Sequence, residues 1–87
     1  MKFNSNKERR AYWEILKSTC STEELEKALN MLKPDTRKVL CLHYQHHRSL
    51  QEITVLISRS ITVVRNHHNR GIYKLYRYFN PRVPLSK

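Results

Sequence analysis

With 87 residues the chain has room for one domain around one modest core, which leaves little space for a buried catalytic cleft. A formal net charge of +10 points to a polyanionic partner, nucleic acid or an acidic membrane face, and no apolar run approaches the roughly 18 residues of a membrane-spanning helix. The N-terminus is too polar for a secretory signal, and Cys20 and Cys41 have no CxxC spacing. The expectation is therefore a cytoplasmic protein with free structural thiols and no disulfide framework, metal or cofactor.

One glycine and three prolines leave few turn signals, so helices joined by short turns are expected. A first helix over about residues 6–18 carries Tyr12, Trp13 and Leu16 as an apolar stripe, which either packs on the domain or offers a surface to a partner protein. Ser21 and Glu24 have capping-box spacing and open a second helix, with Leu25, Leu29 and Leu32 on one face, that runs to Lys33. Pro34 suits the first turn of a third helix, because the amide proton it lacks would be unpaired there. Val39, Leu40 and Leu42 supply that helix's buried side, and it should end near residues 46–48.

Ser49 and Glu52 repeat the capping box directly before Ile53, Leu56 and Ile57, so a short fourth helix begins at Ser49 and hardly passes Ser58. Ser60 then caps a longer last helix in which Val64, His68, Ile72 or Leu75, and Phe79 recur at helical spacing until Asn80-Pro81 stops it. The expected fold is all-α, a bundle of four to five helices. It divides into an N-terminal helical extension (1–20), a domain (21–80) and a tail (81–87).

The charge is unevenly placed. After Pro34 there are ten Lys/Arg against Asp35 and Glu52, and beyond Glu52 the residues Arg59, Arg65, Arg70, Lys74, Arg77, Arg82 and Lys87 recur with no acidic residue among them. A short capped helix, a turn of about four residues and a longer basic helix make the helix-turn-helix plan, in which the second helix enters the major groove. Side chains early in that helix reach base edges while basic residues near its ends hold phosphates, which suits Arg59 and Arg70 on either side of Arg65 and Asn66.

The stretch LEKALNMLKPDTRKVLCLHY resembles L-x-x-A-L-x-x-L-P-x-x-x-R-x-V-L-x-L-x-Y of the C-terminal region-four domain of bacterial RNA polymerase sigma factors, apart from Lys33 inserted before the proline. SLQEITVLISRSITVVRNHHNRGIYKL continues the resemblance without a gap, and its Asn66-His67 pair is similar to the extracytoplasmic-function subgroup. Thr54, Ser58, Val63, His68 and Gly71 depart from that pattern, standing for alanine, the turn glycine, threonine, an apolar residue and alanine.

The resemblance implies a winged-helix-like, region-four fold that binds double-stranded DNA at a minus-35-like promoter element. Ile61, Thr62, Arg65 and Asn66 would read bases, and Arg48, Ser49, Arg59, Ser60, Arg70 and Lys74 would contact phosphates. It further implies RNA polymerase as a partner, through the flap of its β subunit and apolar surface near the second and third helices. A bacterial, nucleoid-associated monomer is expected. Because nothing upstream of Leu25 has room for a promoter-melting domain, the chain is expected to be a fragment or a stand-alone regulator.

Other readings of the same residues are weaker. His43 and His47 stand one helical turn apart, but phosphate-contacting or surface histidines are commoner than a metal site of this composition, and His68 on the apolar stripe reads as structural. Tyr73, Tyr76, Tyr78 and Phe79 at helical spacing suit a core better than a base-stacking platform. Few carboxylates and no phosphate loop argue against an enzyme. The rival readings are an interaction module that binds polymerase or an anti-sigma-like protein with little DNA affinity, and a LuxR-type response-regulator domain, which shares the patterns at Glu52–Ile57 and Val64–His67.

Overall fold

The computed structural model describes Phe3 and residues 5–79. Five α-helices and one π-helical turn follow in order: α1 (Asn6–Thr19), α2 (Thr22–Asn30), α3 (Pro34–Leu40), the π turn (Cys41–Gln45), α4 (Leu50–Ile57) and α5 (Ile61–Phe79). Local chemistry sets their starts. Ser5 caps α1 by accepting from the Glu8 amide, and Ser21 and Glu24 cap α2 reciprocally. Helix α2 stops at Asn30, short of the expected Lys33, because Pro34 drives Lys33 into extended backbone (φ −62°, ψ 150°). Helix α3 likewise gives way to the π turn, closed by the His46 amide donating to the Cys41 carbonyl at 3.1 Å.

Helix α1 is not an appendage. Tyr12, Trp13 and Leu16 are buried in one core with Leu25, Ala28 and Leu29 of α2, Leu40 of α3, Tyr44, and Ile72, Leu75 and Phe79 of α5. The Trp13 indole stacks on the Tyr44 ring with centroids 4.8 Å apart and planes 13° apart. These three α1 residues, offered by the sequence either to the domain or to a partner, are buried in the fold. A second, smaller core of Val39, Ile53 and Val64 lies under α4 and the start of α5. The expected end of the last helix at Asn80-Pro81 and the tail 81–87 lie outside the described residues.

Helices α3 and α5 pack most closely, and Gly71 is the point of approach. A methyl group on its Cα would stand 2.9 Å from both Leu40 Cδ1 and Thr36 Cγ2, side chains that are themselves buried. Gly71→Ala gains about 1 kcal/mol of helix propensity but overpacks a stiff β-branched threonine, at about 1–3 kcal/mol. A net destabilisation of about 1 kcal/mol is expected in thermal unfolding. An alanine variant more stable than the parent would mean that α3 can step back freely.

Candidate nucleic-acid interface

Helix α4 is fixed at both ends by its own residues. Ser49 Oγ accepts from the Glu52 amide at 3.0 Å while Glu52 Oε1 accepts from the Ser49 amide at 2.9 Å. At the other end Ser58 adopts the left-handed conformation (φ 56°, ψ 47°), and the Arg59 amide donates to the Thr54 carbonyl at 3.0 Å and that of Ser58 to Val55 at 3.4 Å. This is a Schellman closure, with serine where glycine would carry no Cβ penalty. Within α4, Ile53 is buried with Leu50 and Ile57 beside it, so Val55 (79% exposed) and Leu56 (56%) face outward.

Three residues, Ser58 to Ser60, then reverse the chain. Ser60 Oγ accepts from the Val63 amide at 3.2 Å and starts α5. Successive residues of a helix turn by 100°, so burial of Val64, His68, Gly71, Ile72, Leu75 and Phe79 sends Thr62 and Asn66 to the opposite, solvent side and leaves Arg65 exposed at the edge of the buried stripe. Arg70 is exposed on the outer side and Lys74 nearer its margin, and Arg48, Ser49, Arg59 and Ser60 are exposed around α4. Ile61 is half-buried, three residues before Val64 on the inward stripe, which sets it apart from the other three expected base readers. Asn69 and Tyr73 continue the outer stripe beyond Arg65 and Asn66, and the 100° arithmetic applied from Thr62 would have found them.

The cations carry few fixed partners. Arg59 Nη2 lies 3.5 Å from Asp35 Oδ2 and Arg48 Nη1 lies 3.9 Å from Glu52 Oε2, all four side chains about half exposed. Pairs of this kind contribute little, about 0–1 kcal/mol, so a phosphate competes with them easily. Asp35 escaped attention in the sequence because only the fold brings α3 beside the turn.

Behind the outer stripe a buried aromatic group fixes the angle of α5. The Tyr44 hydroxyl and His68 Nε2 share a 2.6 Å hydrogen bond, Thr36 Oγ1 and His67 Nδ1 a 2.9 Å one, and the His43 and His68 rings meet with centroids 4.9 Å apart. Burial, reinforced by His43, Arg9 and Arg10, pushes the His68 pKa down to about 3, so its imidazole is neutral. Burial also raises Tyr44 to about 12, which keeps the phenol protonated. Among the described residues no group of three or more His, Cys, Asp or Glu side chains gathers as a metal site, and no helix is long and apolar enough to cross a membrane. Cys20 and Cys41 form no disulfide among the described residues and are half-buried at the core.

A capped short helix, a tight turn and a long helix whose exposed side is cationic define a helix-turn-helix DNA-binding domain. The chain belongs to the Sigma-70, region 4 family, whose model matches residues 22–75. Membership makes it a DNA-binding module of transcription initiation rather than an enzyme, and decides between the two helix-turn-helix resemblances in favour of the sigma one. No curated protein and no solved structure matches the chain. The matched span opens at α2, so α1, buried in the same core, lies outside the family's pattern.

Proposed function

We propose that the domain sets α5 in the major groove of a minus-35-like promoter duplex. Arg65, Asn66 and Thr62 read base edges there, with Ile61 at the margin. Arg48, Ser49, Arg59, Ser60, Arg70 and Lys74 contact the phosphates that flank the groove. The observation that carries this reading is the exposure of Thr62, Arg65 and Asn66 beside the exposed cations Arg70 and Lys74, on a helix buried along its inner side. Arg65 suits guanine O6/N7 and Asn66 adenine N6/N7, each pairing discriminating by about 1–3 kcal/mol. RNA polymerase is the second partner, met by its β flap near Met31, an apolar side chain 69% exposed at the end of α2. The protein acts as a monomer in the bacterial cytoplasm, at the nucleoid.

Fluorescence-anisotropy titrations of minus-35-like and random duplexes across a salt series test the division of labour. Arg65→Ala should erase most of the preference for the promoter-like duplex. Arg59→Ala should weaken both duplexes alike and lower the salt slope by about one, since each phosphate contact releases close to one counterion. Equal loss of preference in the two variants rejects the assignment. No binding at low salt would favour a module that meets polymerase or an anti-sigma-like protein, for which the exposed Val55 and Leu56 of α4 are the apolar surface at hand.

A further inference from the structure

The outer end of α1 carries Lys7, Arg9 and Arg10, and none of these lies within the span matched by the family. Arg10 is exposed, yet it is held in place. Its Nη2 donates to His43 Nε2 at 3.4 Å, its guanidinium carbon lies 5.6 Å from the Tyr44 ring centroid, and the same His43 ring donates from Nδ1 to the Arg48 carbonyl at 2.8 Å. These contacts bring Arg10, His43, His47, Arg48 and Ser49 to one open groove ahead of α4, which Glu52 shares as the partner of Arg48.

The same end of α1 also borders the outer stripe of α5, where Arg9, Asn69 and Tyr73 line an adjoining hollow. Asn69 and Tyr73 stand four and eight residues beyond Arg65, about 6 and 12 Å along the helix axis. The major groove is about 12 Å wide, so a helix seated in it lies between two phosphate strands, and Arg10 and Arg48 share one open groove of the protein ahead of α4.

We propose that α1 is part of the DNA-binding surface: Arg10, acting with His47 and Arg48, clamps a stretch of phosphate backbone at the end of α4 remote from Arg59. This rests on the major-groove reading above and extends it to residues outside the matched family span. The chemistry favours phosphate over a base edge. A guanidinium has five N–H donors in a planar fork, and one contact to His43 leaves enough of them for two phosphate oxygens. The tether to His43 and Tyr44 also reduces the side-chain entropy that a free arginine loses on binding.

Anisotropy titrations of the unaltered chain, Arg10→Gln and Arg10→Lys over a salt series, with random and promoter-like duplexes, test the clamp. Arg10→Gln should weaken both duplexes by the same factor and lower the salt slope by about one, and Arg10→Lys should keep the slope. Binding by the unaltered chain with an unchanged slope in Arg10→Gln overturns the clamp and leaves the major-groove reading standing. Absence of binding by the unaltered chain overturns that reading first. Hydroxyl-radical footprinting of the unaltered chain gives a readout that does not depend on how well a variant folds. The clamp requires backbone protection continuing past the base-read element on one strand, and protection confined to that element overturns it.

Discussion

Trp13→Ala is expected to remove about 3–5 kcal/mol of stability, the range for truncating a fully buried large aromatic. The indole is 1% exposed and stacked on Tyr44, which is itself tied to His68 of α5, so the resulting cavity opens where α1 and α5 meet. A domain of this size has about 4–13 kcal/mol in total, at 0.05–0.15 kcal/mol per residue. The variant's thermal midpoint, followed by circular dichroism, should fall by more than about 12 °C, and DNA affinity at 25 °C should fall with the folded fraction. A midpoint within a few degrees of the parent would show that α1 is dispensable. The same packing implies that residues 22–75, the matched span, fold poorly alone, since removing α1 bares Leu25, Leu29, Ile72 and Leu75 together.

Acid is expected to act through His68 almost as strongly. Its pKa is pushed down to about 3 in the fold against 6.5 for an ordinary imidazole, so below pH 6.5 the unfolded chain binds a proton that the folded chain refuses. Stability from this group is fully present above pH 6.5 and is lost as pH falls toward 3, at up to about 1.4 kcal/mol per pH unit and roughly 2 kcal/mol by pH 5. Protonation is doubly costly because His68 Nδ1 is buried without a hydrogen-bond partner among the described residues, and Arg9, Arg10 and His43 all face it with like charge or the capacity for it. Burial lowers the His43 pKa in the same direction. Thermal midpoints at pH 7.5, 6 and 5 should drop by about 8–16 °C over the series. His68→Leu should flatten most of that dependence, the remainder belonging to His43. An unchanged pH dependence in His68→Leu would reject the assignment.

Much of this is legible in the amino-acid sequence. Ser21 with Glu24, and Ser49 with Glu52, mark helix starts because the capping box is a local hydrogen-bond exchange that needs no tertiary partner. The stripe Val64–His68–Ile72–Leu75–Phe79 was readable for a similar reason, since one long helix repeats its inward side often enough to be recognised. What sequence left open was decided by packing. Tyr12, Trp13 and Leu16 satisfy the stripe of a docked helix and that of a partner-binding helix equally, and only the presence of Tyr44 and Phe79 to receive them chooses. The orientation of α4 is likewise set by packing, because one short helix resting on Ile53 offers a contact too brief for periodicity to orient. The neighbours of Arg10 and Arg59, His43 and Asp35, are distant in sequence and carry no local signal.

Helix α5 is one continuous rod of 19 residues, about 28 Å long, but its two halves are held unequally. Val64 is the buried apolar residue that ties its opening turns to the small core with Val39 and Ile53, while Ile72, Leu75 and Phe79 root its later turns among side chains from α1, α2 and α3. Local opening is easiest where buried apolar contact is thinnest, so the rod works as a compliant tip on a stiff handle. The tip can follow the width and twist of whatever duplex it meets, and the anchored half keeps that adjustment from spreading through the domain.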